Sequence, residues 1–267
     1  MGDGAATFRT SADAYERYMG RWSRPLAAAF ATAIAPNSGD RVLDVGCGTG
    51  ALTSELARRL PATSIAAVDP SELSAQACAG ACPGADVRVL PAESLPFEDG
   101  SFDLALSQLV VNFLTDARRG VAEMVRVVRP GGTVAACTWD YGDGMTMLRA
   151  FWDSAAALDS EAPDEGSTMR YCTQSELAEL WQQAGLTDVI TGDLVVERTF
   201  DDFDELWRPF TLGVGPGGAY TVSLDHERQD ALHDELFRRR GSPAKPFTLT
   251  ARAWLVRGTV PPPANDD

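Results

Sequence analysis

The 267-residue sequence predicts an α/β fold: a seven-stranded, mostly parallel sheet with helices on both faces, a final antiparallel hairpin and a discontinuous lid. Three observations predict it. From residue 41 onward short apolar runs alternate with helical patterns, glycines follow the first of those runs, and two long stretches, 140–172 and 200–246, interrupt the rhythm.

Val42-Leu-Asp-Val45 is a short apolar run ending in glycines, and residues 51–60 follow a helical period stopped by Pro61. Ser64-Ile-Ala-Ala-Val68 is the next strand, after which Ser71 is placed to cap a helix holding Leu73 and Ala77. Asp86-Val-Arg-Val-Leu90, residues 102–107 and residues 133–138 supply strands three to five, with a helix over 121–128 between the last two. Such alternation requires right-handed crossovers, which build a parallel sheet covered on both faces.

Beyond Trp139 the pattern changes. Residues 145–158 read as a helix and 161–170 as a polar connection. Thr173-Gln-Ser-Glu176 has capping-box spacing for a helix through Gln183, which Gly185 stops. Residues 188–198 and 247–256 alternate as the two hairpin strands. The expected division is an N-terminal helical segment, 1–40, over the mouth of the site; a core of 41–139, 173–199 and 247–258; lid or substrate-binding insertions at 140–172 and 200–246; and a tail, 259–267.

The 45% apolar and 23% charged content is that of a folded globular chain able to bury a core. A formal net charge of -15 repels phosphate backbones and anionic lipid, which disfavours nucleic acid and membrane as partners and favours a neutral or cationic small molecule. Cys47, Cys78, Cys82, Cys137 and Cys172 are odd in number and lack C-x-x-C spacing, against both a disulfide framework and a metal site. The apolar stretch 26–35 is too short to span a bilayer, and the first residues lack an export pattern, so a cytoplasmic protein is expected. Oligomeric state is not encoded in any motif.

Asp44-x-Gly46-x-Gly48-x-Gly50 sits between a strand and a helix, where glycine lets the backbone turn sharply and approach a ligand. The glycines alone also satisfy a dinucleotide fingerprint through Gly46-x-Gly48-x-x-Ala51. Asp44 separates the two readings. A carboxylate at the end of that strand repels a pyrophosphate but suits the cationic amino group of a methionine-like tail. Asp69 closes the second strand, where a carboxylate accepts hydrogen bonds from ribose hydroxyls; alternatively it is a turn residue before Pro70.

At these residues the chain resembles class I S-adenosylmethionine-dependent methyltransferases. Residues 42–50 resemble motif I, and Ala66-Ala-Val-Asp-Pro-Ser71 the acidic motif. Ala92-Glu-Ser-Leu-Pro-Phe97 with Gly100-Ser-Phe-Asp103 is similar to the adenine-side loop and fourth strand, and Glu123-Met-Val-Arg-Val-Val-Arg-Pro-Gly-Gly132 to the turn before the fifth. The group is methyltransferase type 11, related to the ubiquinone and menaquinone C-methyltransferases, and the likeness covers about residues 41–140. It implies a Rossmann-like fold, S-adenosylmethionine as cofactor, and methyl transfer. It places Asp44, Gly46, Cys47, Gly48 and Gly50 at the amino-acid and ribose end, Asp69 and Pro70 at the ribose, and Ala92 and Glu93 at the adenine. Ser107 and Gln108, after the fourth strand, fall where this fold faces cofactor and substrate. Arg21, within Tyr18-Met-Gly-Arg-Trp-Ser23, a segment similar to that of uncharacterised bacterial members, joins the cofactor set. One position departs from the family: Pro91 stands where an acidic residue is common, leaving adenine recognition to the backbone of Ala92 and Glu93 with packing by Leu95.

Methyl transfer from a sulfonium is an in-line displacement that alignment and exclusion of water can accelerate without any acid or base. Candidates for a catalytic role are Gln108 and the only histidines, His226 and His233, whose seven-residue spacing on a charged stretch equally fits a solvated helix face. Tyr15, Tyr18, Trp22, Trp139, Tyr141, Trp152 and Trp207 either wall a substrate pocket or pack the lid. The expected function is methyl transfer to a small-molecule acceptor. A nicotinamide-dependent oxidoreductase and a non-catalytic cofactor-binding module are the alternatives.

Overall fold

The computed structural model describes residues 16–243 and 246–263. Tyr15, the rest of the first fifteen residues and the last four residues of the tail lie outside them.

Four short parallel strands start the sheet: β1 (Val42–Val45), β2 (Ile65–Asp69), β3 (Asp86–Val89) and β4 (Phe102–Gln108). β5 (Val128–Trp139) is parallel to β4, and β6 (Thr187–Phe200) with β7 (Phe247–Thr259) forms the final antiparallel hairpin. The order across the sheet is β3-β2-β1-β4-β5-β7-β6. The chain therefore winds outward from β1 toward β3, then returns to place β4 on the other side of β1. The crevice beyond the carboxyl ends of β1 and β4 is the topological switch point, where open α/β sheets bind ligands.

Helices α1 (Arg21–Ile34), α2 (Ala51–Ala57), α3 (Glu72–Ala81) and α4 (Ala117–Val127) accompany these strands. In α4 the apolar residues Val121, Met124 and Val127 recur at helical spacing and are buried. α5 (Thr146–Leu158), α6 (Glu165–Thr168) and α7 (Gln174–Gln183) follow β5, and α8 (Phe203–Trp207), α9 (Gly215–Ser223) and α10 (His226–Arg239) lie between β6 and β7. The predicted cap of α7 forms with a shift. Thr173 Oγ1 accepts from the Glu176 amide at 3.2 Å, but the Glu176 carboxylate reaches back to the amide of Cys172 at 3.1 Å, one residue earlier than the standard box.

Several boundaries differ from the sequence reading. β5 starts at Val128, five residues before the predicted strand, because Phe102 pairs with Val128 and Leu104 with Thr133, so residues 129–132 bulge from the register without ending the strand. The preceding helix accordingly begins at Ala117 and ends at Val127. β3 stops at Val89. The stretch read as a polar connection contains α6, started by Asp164, whose side chain accepts from the Gly166 amide.

The chain divides into two compact units. One comprises residues 26–138, 170–194 and 254–267. Its core holds Leu43, Val68, Ala105, Met124, Val134 and Trp181, all fully or almost fully buried. The other comprises Met1–Pro25, Trp139–Met169 and Val195–Ala253. Here Phe210 stacks on Phe151 at 4.2 Å and Phe200 on Phe247 at 5.4 Å, while Arg252 binds Asp140 and Asp143, and Arg198 binds Glu205. The division falls at other places than in the sequence reading: residues 26–40 and 170–172 go with the larger unit, and residues 139, 195–199 and 247–253 with the other.

Trp181, wholly buried on α7, donates its indole N–H to the Val134 carbonyl of β5 at 2.9 Å. A Trp181→Phe substitution removes that bond and is expected to cost about 1–3 kcal/mol, read as a lower urea midpoint with an unchanged m value. An unchanged midpoint would show that the sheet does not rely on this contact.

Candidate functional site

The residues that carry the predicted chemistry in the larger unit converge at the ends of β1, β2 and β4. Asp44 is the third residue of β1, paired in register with Ala67 of β2 and Leu106 of β4. Its side chain is 1% exposed, and Oδ2 accepts from the Thr53 hydroxyl of α2 at 2.6 Å. Oδ1 is buried with no hydrogen-bond partner among the described residues. Burial pushes the Asp44 carboxyl up to about 7; the Thr53 bond opposes that rise and the charge of Asp69 adds to it. An orphan acceptor of this kind is costly unless a donor, best a cationic one, meets it.

The loop after β1 turns back under the end of β2, where the amides of Gly46 and Cys47 both donate to the Val68 carbonyl, at 2.8 and 2.9 Å. Gly46 and Gly48 have positive φ, 77° and 53°, but for different physical reasons. A Cβ on Gly46 would lie 2.3 Å from Val110, whereas a Cβ on Gly48 would meet nothing within 4 Å. Gly46 is glycine for packing. Gly48 leaves an open approach to the backbone, as a ligand requires.

Asp69 sits opposite this loop. Its Oδ2 accepts from the Gly48 amide at 2.9 Å and Oδ1 from the Ser71 amide at 2.8 Å, so the side chain both closes a turn and pins the glycine loop. Burial raises its pKa, against the pull of these two amide bonds. Each oxygen retains a second lone pair for a ligand hydroxyl. Pro70 is exposed beside it. Cys47 is buried; hydrogen bonding with Cys78 and then burial hold its thiol far above the ordinary range, so it is protonated and unreactive.

On the other side of the switch point, Ser107 and Gln108 end β4, both buried, and the Ser107 hydroxyl has no hydrogen-bond partner among the described residues. Leu109 follows with φ 63°, a left-handed conformation unusual for leucine, held by its amide bond to the Cys137 carbonyl at 2.8 Å. In the adenine-side loop Ala92 and Leu95 are buried; Glu93 accepts from the Asp116 amide at 3.3 Å, and the Leu95 amide donates to Glu123 at 2.8 Å.

Arg21 and both histidines fall in the other unit. Arg21 pairs with Glu205, which also takes Arg198. His226 is exposed in the first turn of α10. His233 is half-buried, its ring edge-on to Phe203 and Trp207 at 5.0 and 5.4 Å, with Nδ1 2.9 Å from Asp234. Neither histidine joins a cluster of three or more metal-ligating side chains among the described residues. No helix among them is long and apolar enough to cross a membrane. Thr53, Val110 and Leu109 were not singled out from the sequence. Only the short distance of Thr53 from motif I, on the helix that follows it, marks any of them.

A family model described as a methyltransferase domain matches residues 43–136. An uncharacterised methyltransferase of Mycobacterium bovis is 34% identical over 255 residues, covering 95% of this chain and 98% of its own. The malonyl-[acyl-carrier protein] O-methyltransferase of Geobacter sulfurreducens is 36% identical over 196 residues, 71% of this chain and 69% of that protein. Among solved structures, one from Anaeromyxobacter dehalogenans described as a type II methyltransferase has a TM-score of 0.65 at 24% identity, covering 90% of this chain and 97% of that one, a likeness of fold. The chain belongs to the S-adenosylmethionine-dependent methyltransferases.

The two loop glycines should respond differently to alanine. Gly48→Ala incurs only the left-handed backbone strain, about 1–2 kcal/mol. Gly46→Ala adds overpacking against Val110, about 1–3 kcal/mol more, which Val110→Ala in the same chain should partly relieve. Equal stabilities of the two single variants in urea unfolding would contradict this division.

Proposed function

We propose that this methyltransferase transfers the methyl group of its cofactor to a small-molecule acceptor, holding the cofactor at the ends of β1, β2 and β4. The observation that carries the reading is the orphan Oδ1 of Asp44, together with the open backbone of Gly48 in the loop that follows it. The first fits the ammonium of an amino-acid tail, and the second a close backbone approach; a pyrophosphate would meet repulsion from Asp44 and Asp69.

When bound, S-adenosylmethionine supplies a methyl group on a positively charged sulfur. The protein's own residues do the remaining work. Asp44 takes the ammonium while Thr53 fixes the carboxylate. Asp69 accepts from ribose hydroxyls through the lone pairs its turn leaves free. Ala92 and Glu93, with Leu95, bound the adenine, and Ser107 and Gln108 line the other side of the crevice. None of these groups needs to move a proton for a displacement at carbon; alignment and exclusion of water provide the acceleration.

The acceptor class is supported by the chain's -15 net charge, which opposes a nucleic-acid substrate, and by a relative named for a malonyl acceptor on acyl-carrier protein. Residues 139–169 and 195–253 of the second unit are proposed to select it. Mass-spectrometric search for methylated products across a panel of small molecules tests the activity; cofactor binding with no product anywhere in the panel would favour a non-catalytic module.

Cofactor binding is expected to be lost in Gly48→Val by calorimetry with S-adenosylhomocysteine, and unchanged affinity would remove the glycine loop from the site. Asp44 adds a proton-linked signature. Its carboxyl titrates near 7 in the free protein, and a neighbouring ammonium lowers that value, so binding at pH 6 should release about one proton, decreasing as pH rises through 7. Calorimetry in buffers of different ionisation enthalpy reads this directly. Asp44→Asn should abolish the release; equal release in that variant would assign the proton to another group.

A further inference from the structure

The glycine loop, α2 and α3 bury a short chain of polar groups beside Asp44. The Thr53 hydroxyl of α2 donates to Asp44 Oδ2 at 2.6 Å, and the Cys78 thiol of α3 donates to Thr53 Oγ1 at 3.4 Å. Thr53 and Cys78 are both wholly buried. Cys47, in the loop, packs with Cys78 and Ala67 in one small buried cluster. The close approach of α3 is built into the loop. A Cβ on Gly50, which has φ 90°, would lie 3.2 Å from both Cα and Sγ of Cys78, so a larger residue there would push the thiol away from Thr53.

A hydroxyl has one hydrogen, which fixes the order of donors. With its hydrogen on Asp44, Thr53 can only accept from Cys78. The bonds therefore run one way, from sulfur through oxygen to the carboxylate, and bonds aligned head to tail strengthen one another. Hydrogen bonds donated to a carboxylate favour its charged form. Burial pushes the Asp44 carboxyl up to about 7, and the Thr53 hydroxyl is the strongest influence in the other direction, ahead of the Thr53 amide. The titratable groups that face Asp44 are Asp69 at the end of β2 and the thiols of Cys47, Cys78, Cys82 and Cys137, none of them cationic. The Cys78 thiol answers to the same charge. Its bond with Cys47 lowers its pKa, while burial, Asp44 and Asp69 raise it, so an ionised Asp44 favours the thiol that keeps its hydrogen.

We propose that Thr53 is the positioning residue of Asp44 and that Cys78 orients Thr53, the two holding the carboxylate charged through Oδ2 while Oδ1 stays open for a cation. The inference deepens the reading of Asp44 as the ammonium contact and rests on it for the ligand; the hydrogen-bond chain can be tested without one. Removing the Thr53 hydroxyl deprives Oδ2 of its side-chain donor. The buried carboxyl then keeps its proton to a higher pH, and a protonated Asp44 no longer attracts an ammonium. A purely structural role for Thr53 would weaken binding equally at every pH, whereas a role through Asp44 weakens it only where the carboxyl gains its proton.

Carbon-13 NMR titration of the Asp44 carboxyl in the ligand-free chain reads the first step. Thr53→Val, which keeps the shape of the side chain, should raise the midpoint by about one pH unit or more, Cys78→Ala by a smaller measurable amount, and Thr53→Ser should restore the wild-type value. Calorimetry with S-adenosylhomocysteine reads the second. A rise of one unit makes Thr53→Val about eightfold weaker than wild type at pH 6.5 and less than about twofold weaker at pH 8. An unchanged midpoint in Thr53→Val overturns the inference, as does an equal loss of affinity at both pH values. Should Thr53→Val fail to fold, Cys78→Ala decides: a raised midpoint supports the chain and an unmoved one overturns it. A midpoint that rises in Thr53→Val, in a protein whose Asp44→Asn variant binds the ligand as tightly as wild type at pH 8, keeps the hydrogen-bond chain and removes Asp44 from the cofactor site.

Discussion

Asp44 sits where three constraints meet: the end of the central strand, the start of the glycine loop and the buried face of α2. Its position in register with both β2 and β4 fixes the carboxylate at the switch point of the sheet, and the bond from Thr53 fixes which oxygen remains open. The raised pKa makes this arrangement conditional. A carboxyl titrating near 7 in the fold and near 3.9 in the unfolded chain contributes most to stability below the lower value. That contribution is lost as pH rises through 7. A cation at Oδ1 offsets the loss, so the strand end is most comfortable at neutral pH when an ammonium is present.

The loop around Asp44 then divides its labour between residues that look equivalent in the motif. Gly46 is required because Val110 occupies the space a side chain would need; Gly48 is left open by the protein itself. Asp69 couples the two strands through the loop, since the carboxylate that suits a ribose also holds the Gly48 amide. Removing it therefore disturbs the approach to Gly48 as well as the proposed ribose contact. Leu109, in its left-handed conformation after Gln108, stores strain at the opposite lip of the same crevice.

Much of this was legible in the sequence because parallel α/β sheets place their chemistry in contiguous strand-to-helix turns. The places of Asp44, Gly48 and Asp69 at strand ends and in the loop between them followed from the alternation of strands and turns, and the capping of α7 from four residues. What escaped was set by contacts between distant segments. Val110 gives no sign in sequence that it packs on Gly46, and nothing in a helical pattern marks Thr53 as the partner of Asp44. β5 was read short because a Pro-Gly-Gly run looks like a strand boundary, whereas the register shift absorbs those residues as a bulge. Glu165 was hidden for the opposite reason: in a stretch dominated by acidic and small residues, a buried carboxylate has the same composition as a solvated loop.

The two units therefore differ in how their chemistry can be read. The larger holds the groups proposed to meet the cofactor, and any acceptor would leave them unchanged. In the second unit aromatic packing supplies much of the frame, with Tyr18 edge-on to Phe210 and Phe210 stacked on Phe151, beside ion pairs such as Arg252 with Asp140. A displacement onto an acceptor that has no proton to lose places no demand on residue type at the reacting atoms, and such a reaction requires no catalytic motif there. Specificity must then come from what a ligand does for buried groups that the chain leaves unpaired. Among the described residues the Tyr18 hydroxyl meets that condition, whereas His226, exposed to water, and His233, packed between aromatic rings, do not.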